Sequence, residues 1–178
     1  MDQRFTDDNP RGLYFLADLV NAVRDGTGAT PAGLEAVIEA HGGPPWRLTE
    51  TTAGDMRDAA AVVAGILDLS DEDSAAEAIN ALLDQYPARP RLERVPGRRW
   101  SLRATAPHDA QPARWLLSTA ALALALWLSE RGYCAWGRCA APGCGRYFID
   151  TGRRTPQRYC STRCGTRVRV AAHRDRSR

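Results

Sequence analysis

At 178 residues with 44% apolar side chains, the chain can hold one medium domain, or a domain of roughly 130 residues with a small appendage. Its most apolar run, Trp115 to Leu128, is shorter than the roughly 20 residues a membrane-spanning helix needs, and five Cys without a secretory leader argue against a disulfide scaffold. The net charge of +3 hides an asymmetry: residues 138–178 carry +9, with eleven Arg against Asp150 and Asp175, while residues 1–137 carry −6, so the tail is expected to meet an anionic partner.

The N-terminus, Met1 to Asp8, has neither the basic nor the apolar region of a signal peptide, and a cytoplasmic protein is expected. Residues 12–24 place Leu13, Leu16, Val20 and Val23 on one helical stripe. Thr30-Pro31 supplies an N-cap and N1 residue for a second helix through Leu34, Val37 and Ile38, which His41-Gly42-Gly43 stops. A third helix is predicted from about Thr52 to Leu69. A fourth opens with a Ser70–Asp73 capping box and ends at Tyr86-Pro87. The period then changes to alternation over Arg91–Val95 and Arg99–Ala104 around Pro96-Gly97, a β-hairpin. A fifth helix, about Asp109 to Arg131, is apolar nearly all round between Trp115 and Leu128, as a central helix would be. The expected fold class is mainly α with a β-hairpin (α+β): a helical domain over 1–132, then a small zinc-finger domain over 133–178.

Four of the five Cys stand as Cys139-x4-Cys144-x15-Cys160-x3-Cys164. Two tight thiolate pairs separated by a spacer can fill a tetrahedral zinc shell. Pro142 and Gly143 let the first pair turn back. Arg146–Asp150 and Gln157–Tyr159 read as a hairpin, and Ser161 as the N-cap of a last helix that carries Cys164 in its first turn. Knuckle, hairpin and ligand-bearing helix together describe a treble-clef-like finger with one structural zinc ion and no open position for water. The competing reading is four unlinked buried thiols. Cys134 repeats the x4 spacing but has no hairpin after it, and His173 lies too far along the helix to join the same ion.

On the last helix, Cys164, Val168 and Ala171 form one face, expected to pack on the finger. Arg163, Arg167, Arg169 and Arg174 lie on the others and are the candidate nucleic-acid contacts. Some Arg near the site could serve only to offset the charge of a tetrathiolate metal, and a merely solvated face is the plainer alternative. The segments Cys139–Cys144, Phe148–Asp150 and Tyr159–Arg167 resemble the CGNR zinc finger, whose tetrad falls on Cys164, Gly165, Thr166 and Arg167. Thr166 replaces the Asn of that tetrad, and the second Cys pair is one residue closer than in the family. That resemblance implies an N-terminal ABATE domain, a family described as putative stress-induced transcription regulators. Asp18–Asn21, Arg57 and Asn80 match it more loosely.

No nucleophile motif, phosphate-binding Gly-rich loop or H-E-x-x-H stands beside His41, His108 or His173, so no enzyme is expected. Asp71-Glu72-Asp73 reads as a helix start rather than a metal cluster. The expected function is a zinc-dependent regulator that binds double-stranded DNA, with a homodimer or transcription-machinery contact to supply specificity. Its helical domain would sense a ligand, dimerise or touch that machinery, although no polar constellation marks an effector pocket. The alternatives are a zinc-stabilised module docking on an acidic protein, and RNA binding through Tyr147, Phe148 and Tyr159, residues that equally suit a small core.

Overall fold

In the computed structural model, which describes residues 12–94, 100–105, 111–152 and 156–176, each helix begins and ends where its local chemistry dictates. Helix α1 (Leu13–Arg24) follows Gly12, whose φ of 89° breaks the chain direction. Helix α2 (Pro31–Ala40) is capped by the Thr30 hydroxyl, which accepts from the Gly33 N–H. Helix α3 (Glu50–Leu67) starts two residues before the expected Thr52. Thr49 and Thr52 form a reciprocal capping box there, each side chain accepting from the other's backbone N–H. Helix α4 (Glu72–Gln85) is capped by Asp71, one residue beyond the expected Ser70. The Asp71 carboxylate accepts from Ser74 at 2.8 Å, which holds its pKa below the usual range. A carboxylate there makes the cap hydrogen bond and is favoured by the positive end of the helix as well.

Strands β1 (Arg89–Arg94) and β2 (Trp100–Thr105) pair antiparallel with Leu92 opposite Leu102, the hairpin expected from the alternation. Its Pro96-Gly97 turn, the expected Asp109 start of the fifth helix, and His108 lie outside the described residues. Helix α5 (Pro112–Arg131) ends at Gly132, in the left-handed region at φ 70°. It reaches the length and apolar composition of a membrane span at 20 residues, although its most apolar run is shorter. Half of that helix is buried by the protein itself, with Leu116, Ala120, Ala121 and Leu124 wholly enclosed. Helices α1, α3 and α4 cover it, so the all-round apolar pattern belongs to a core helix. Phe15, Trp46 and Trp115 close one end of the core, Trp46 meeting Trp115 edge to face at 5.0 Å.

The chain after α5 does not pair Arg146–Asp150 with Gln157–Tyr159 as expected. Strand β3 (Trp136–Arg138) pairs with β4 (Tyr147–Ile149), so the finger's hairpin uses residues before the first ligand. Gln157–Tyr159, expected as the return strand, is irregular and only its Arg158 carbonyl is tied to the knuckle, accepting from Ala140 at 2.9 Å. The reason is apolar: Ala135, Trp136, Tyr147 and Ile149 are buried in the same core as the helices, whereas residues 156–158 are exposed. Helix α6 (Thr162–Arg176) is the last described element. Because Leu116 is fully enclosed at the centre, Leu116→Ala should destabilise the fold by about 2–5 kcal/mol in urea denaturation followed by circular dichroism.

Candidate metal centre and its seat

Two local structures deliver the four sulfurs. The first is the knuckle between β3 and β4. There Cys139 N–H donates to the Arg146 carbonyl at 2.8 Å and Cys144 N–H to that of Ala141 at 3.0 Å. Gly143 and Gly145 sit at φ 71° and 61°, the left-handed conformation that lets the chain reverse within six residues. The second is the start of α6. The Ser161 hydroxyl caps it by accepting from the Cys164 N–H at 3.3 Å, leaving Cys160 just before the helix and Cys164 in its first turn.

The cluster contains Cys139, Cys144, Cys160 and Cys164, all sulfurs within 4.8 Å of one another, and neither Cys134 nor His173 belongs to it. Cys144, Cys160 and Cys164 form a triangle with sides of 3.7, 3.8 and 3.8 Å. A tetrahedron with sulfurs about 2.3 Å from its centre has edges of about 3.8 Å, so the donor set fits a tetrahedral thiophilic cation such as zinc. Four thiols this close cannot all ionise without such a cation. The Arg146 N–H draws the Cys144 thiol down to about 7, while burial, then the neighbouring sulfurs, push Cys160 up to about 12. Cys134 sits apart, its thiol 3.7 Å from the Asp71 carbonyl and its pKa raised by burial and then by Glu72 and Asp71.

Further contacts lock the two halves of the finger. The buried Asp150 carboxylate accepts from Gly152 N–H at 2.8 Å and Gln157 N–H at 3.0 Å, which folds the loop that returns the chain to Cys160. Arg167 donates to the Pro142 carbonyl at 3.0 Å, bracing α6 against the knuckle. Gly165 is buried against Tyr159, whose ring would stand 3.3 Å from an added Cβ. Thr166, in the place of the family's Asn, accepts from Arg169 at 3.0 Å.

The finger rests on the helical domain through polar pairs that spacing alone did not reveal. Asn21, buried on α1, bonds both ways with the Tyr147 backbone: its Nδ2 donates to the carbonyl and its Oδ1 accepts from the N–H, each at 2.9 Å. It caps the free edge of β4 as another strand would. Arg24 donates to the Cys144 carbonyl at 2.6 Å, and Asp25 pairs with Arg24 and with Arg146. Asp68 grips Arg138 through both oxygens and accepts from the Tyr147 hydroxyl. The Arg138 hydrogen bond is the main reason its carboxyl titrates below the usual range. Arg57, one of the looser family matches, donates to the Ala29 carbonyl and closes the α1–α2 turn, while Asn80 is exposed on α4.

The candidate contact residues sit on a helix that leaves the finger early. Gly165 is buried and Cys164 and Val168 half-buried, but Ala171, expected to pack, is exposed, as are Arg163, Arg167, Arg169, Val170 and Arg174. The packed face ends at Val168 because the finger offers nothing apolar beyond its second turn. Tyr147 and Phe148 are buried in the core, and Tyr159 is half-buried against Gly165.

A family model described as the CGNR zinc finger matches residues 136–177. A second, ABATE, described as "Putative stress-induced transcription regulator", matches residues 15–131. That match spans more than half of the chain, and the chain belongs to the ABATE family. No curated protein matches the chain.

Metal binding must displace thiol protons, so apparent affinity should rise as pH passes about 7, where Cys144 ionises, and keep rising above it in a chelator competition. The protonated Cys160 is the ligand that resists longest. A thiol-reactive dye should find only Cys134, slowly, in the metal-loaded chain and all five Cys after chelation. Asn21→Ala should cost about 1–3 kcal/mol in denaturant while leaving metal content unchanged, since it strips two buried partners from β4 without touching a ligand.

Proposed function

We propose that the protein is a zinc-dependent DNA-binding transcription regulator, with one structural zinc ion held by Cys139, Cys144, Cys160 and Cys164. The observation that supports this best is the division of α6. Its first two turns are tied to the metal cluster and its brace yet leave Arg163 exposed, and the remainder projects with Arg169 and Arg174 exposed. A rigidly aimed helix with cationic side chains and almost no packing duty suits docking on duplex phosphates. Arg167, also a candidate contact, holds the knuckle with one nitrogen and keeps further donors for a phosphate. With every ligand position taken by Cys, no place is left for a metal-bound water, and the protein is proposed to act by binding rather than catalysis. One small finger reads few base pairs, so specificity is proposed to come from a dimer or a transcription-machinery partner. A cytoplasmic, nucleoid-associated location follows from that role.

A second reading, docking on an acidic protein, draws support from Val170, 43% exposed beside Ala171 on the same helix. Selection from a random duplex pool separates the two. Zinc-loaded protein should enrich one motif, and Cys160→Ser should lose it. In salt titrations, Arg163→Ala or Arg174→Ala should each lower the salt slope of binding by about one unit with metal content intact. Arg167→Ala should weaken both DNA binding and metal retention. Unchanged slope and affinity across all four Arg substitutions, Arg169→Ala included, would refute the DNA reading and leave the acidic-protein one.

A further inference from the structure

Residues 89–105 carry six Arg against Glu93 alone, inside an N-terminal segment that is otherwise strongly acidic. Their hairpin is unusual in three respects. Every residue of β1 is exposed on both faces, although two-stranded hairpins are marginal without cover. On one face lie Leu92, Trp100 and Leu102, exposed by 66%, 60% and 37%, with Arg94 stacked over the Trp100 ring at 5.1 Å. In the register, Arg91 stands opposite Arg103 and Arg94 opposite Trp100, which gathers like charge on a two-stranded ribbon that holds Glu93 as its one acid. The hairpin thus shows exposed apolar side chains beside Arg94 on one face and carries Arg89 and Arg91 on the other. A polyanion would complement the net charge of the ribbon and contact both faces.

We infer that the β1–β2 hairpin is a second duplex-DNA-binding element, separate from α6. A two-stranded ribbon is narrow enough for the major groove, and Arg side chains on its faces reach the flanking phosphates. The two elements stand at opposite ends of α5. Arg114 in its first turn lies over Tyr86, three residues before β1, and Arg131 in its last turn donates to the Asp150 and Gly152 carbonyls of the finger. A helix of 20 residues is about 30 Å long, close to the length of one turn of duplex. One chain thus offers two cationic contacts spaced for a single stretch of DNA. The inference rests on the proposed function only in taking duplex DNA as the partner.

The test is fluorescence anisotropy of the zinc-loaded full chain on a labelled duplex across a salt series. It uses R89S/R91S/R94S for the hairpin and R163A/R174A for α6. The hairpin variant should lower the salt slope by about 2–3 units with zinc content and circular dichroism unchanged, and R89K/R91K/R94K should restore it. An unchanged slope in the hairpin variant, with a reduced one in the α6 variant, overturns this inference and leaves the proposed function standing. The opposite pattern keeps the hairpin and removes α6 from the interface. No duplex binding by the unaltered chain overturns both. Trp100→Ala that turns a dimer into a monomer in sedimentation, at constant DNA affinity, would assign the face to a second copy instead. Hairpin-dependent binding stronger for single strands than for duplex would equally overturn it.

Discussion

Helix α6 buries one glycine and half of two other side chains, far too little apolar surface to fix a fifteen-residue helix against a domain. What fixes it is the convergence of four sulfurs, two from the knuckle and two from the helix start, within 4.8 Å of one another, three of them at the edge lengths of a thiolate tetrahedron. Capping by Ser161, the Asp150 loop and the Arg167 brace all act on the approach to that point. Small segments that cannot build a core commonly rely on such a staple, and here the staple also sets the direction in which the Arg side chains project.

The finger is not an independent bead. Tyr147 and Ile149 enter the core of the helical domain, and Asn21 treats β4 as though α1 were its neighbouring strand. Arg24 reaches the carbonyl of a metal-ligand residue, Cys144. A change in the packing of α1 is therefore felt at the knuckle within one side-chain length, and loosening of the knuckle is felt in the core. Any signal received by the helical part has a short physical route to the cationic helix.

Local regularities were legible in the sequence and long-range pairings were not. The helix stripes, the Thr30 and Ser161 caps, the first hairpin and the four clustered Cys all follow from spacing, because periodicity and ligand geometry are local properties. The N-cap of α4 shifted by one residue because two capping residues stood side by side and the carboxylate prevailed. Strand β3 has three residues and no alternation of its own, and its pairing was decided by where Trp136 and Tyr147 could be buried. Asn21 stood out only within the Asp18–Asn21 family match, and Asp25 and Asp68 not at all. Their partners lie 70 to 126 positions away, beyond the reach of any local pattern.

The placement of charge along α5 has a consequence for how the protein meets anything charged. The hairpin at one end carries +5 and the segment from residue 138 carries +9, while the remaining residues before 138 carry −11. Positive ends and an acidic remainder leave a net charge of only +3, so at a distance most of the cationic charge is offset. Long-range electrostatic guidance of a polyanion toward this molecule is accordingly weak, although contact at either end is strongly ionic. Encounters would be governed by ordinary diffusion and selected at close range, with the acidic waist repelling any strand that arrives between the two ends.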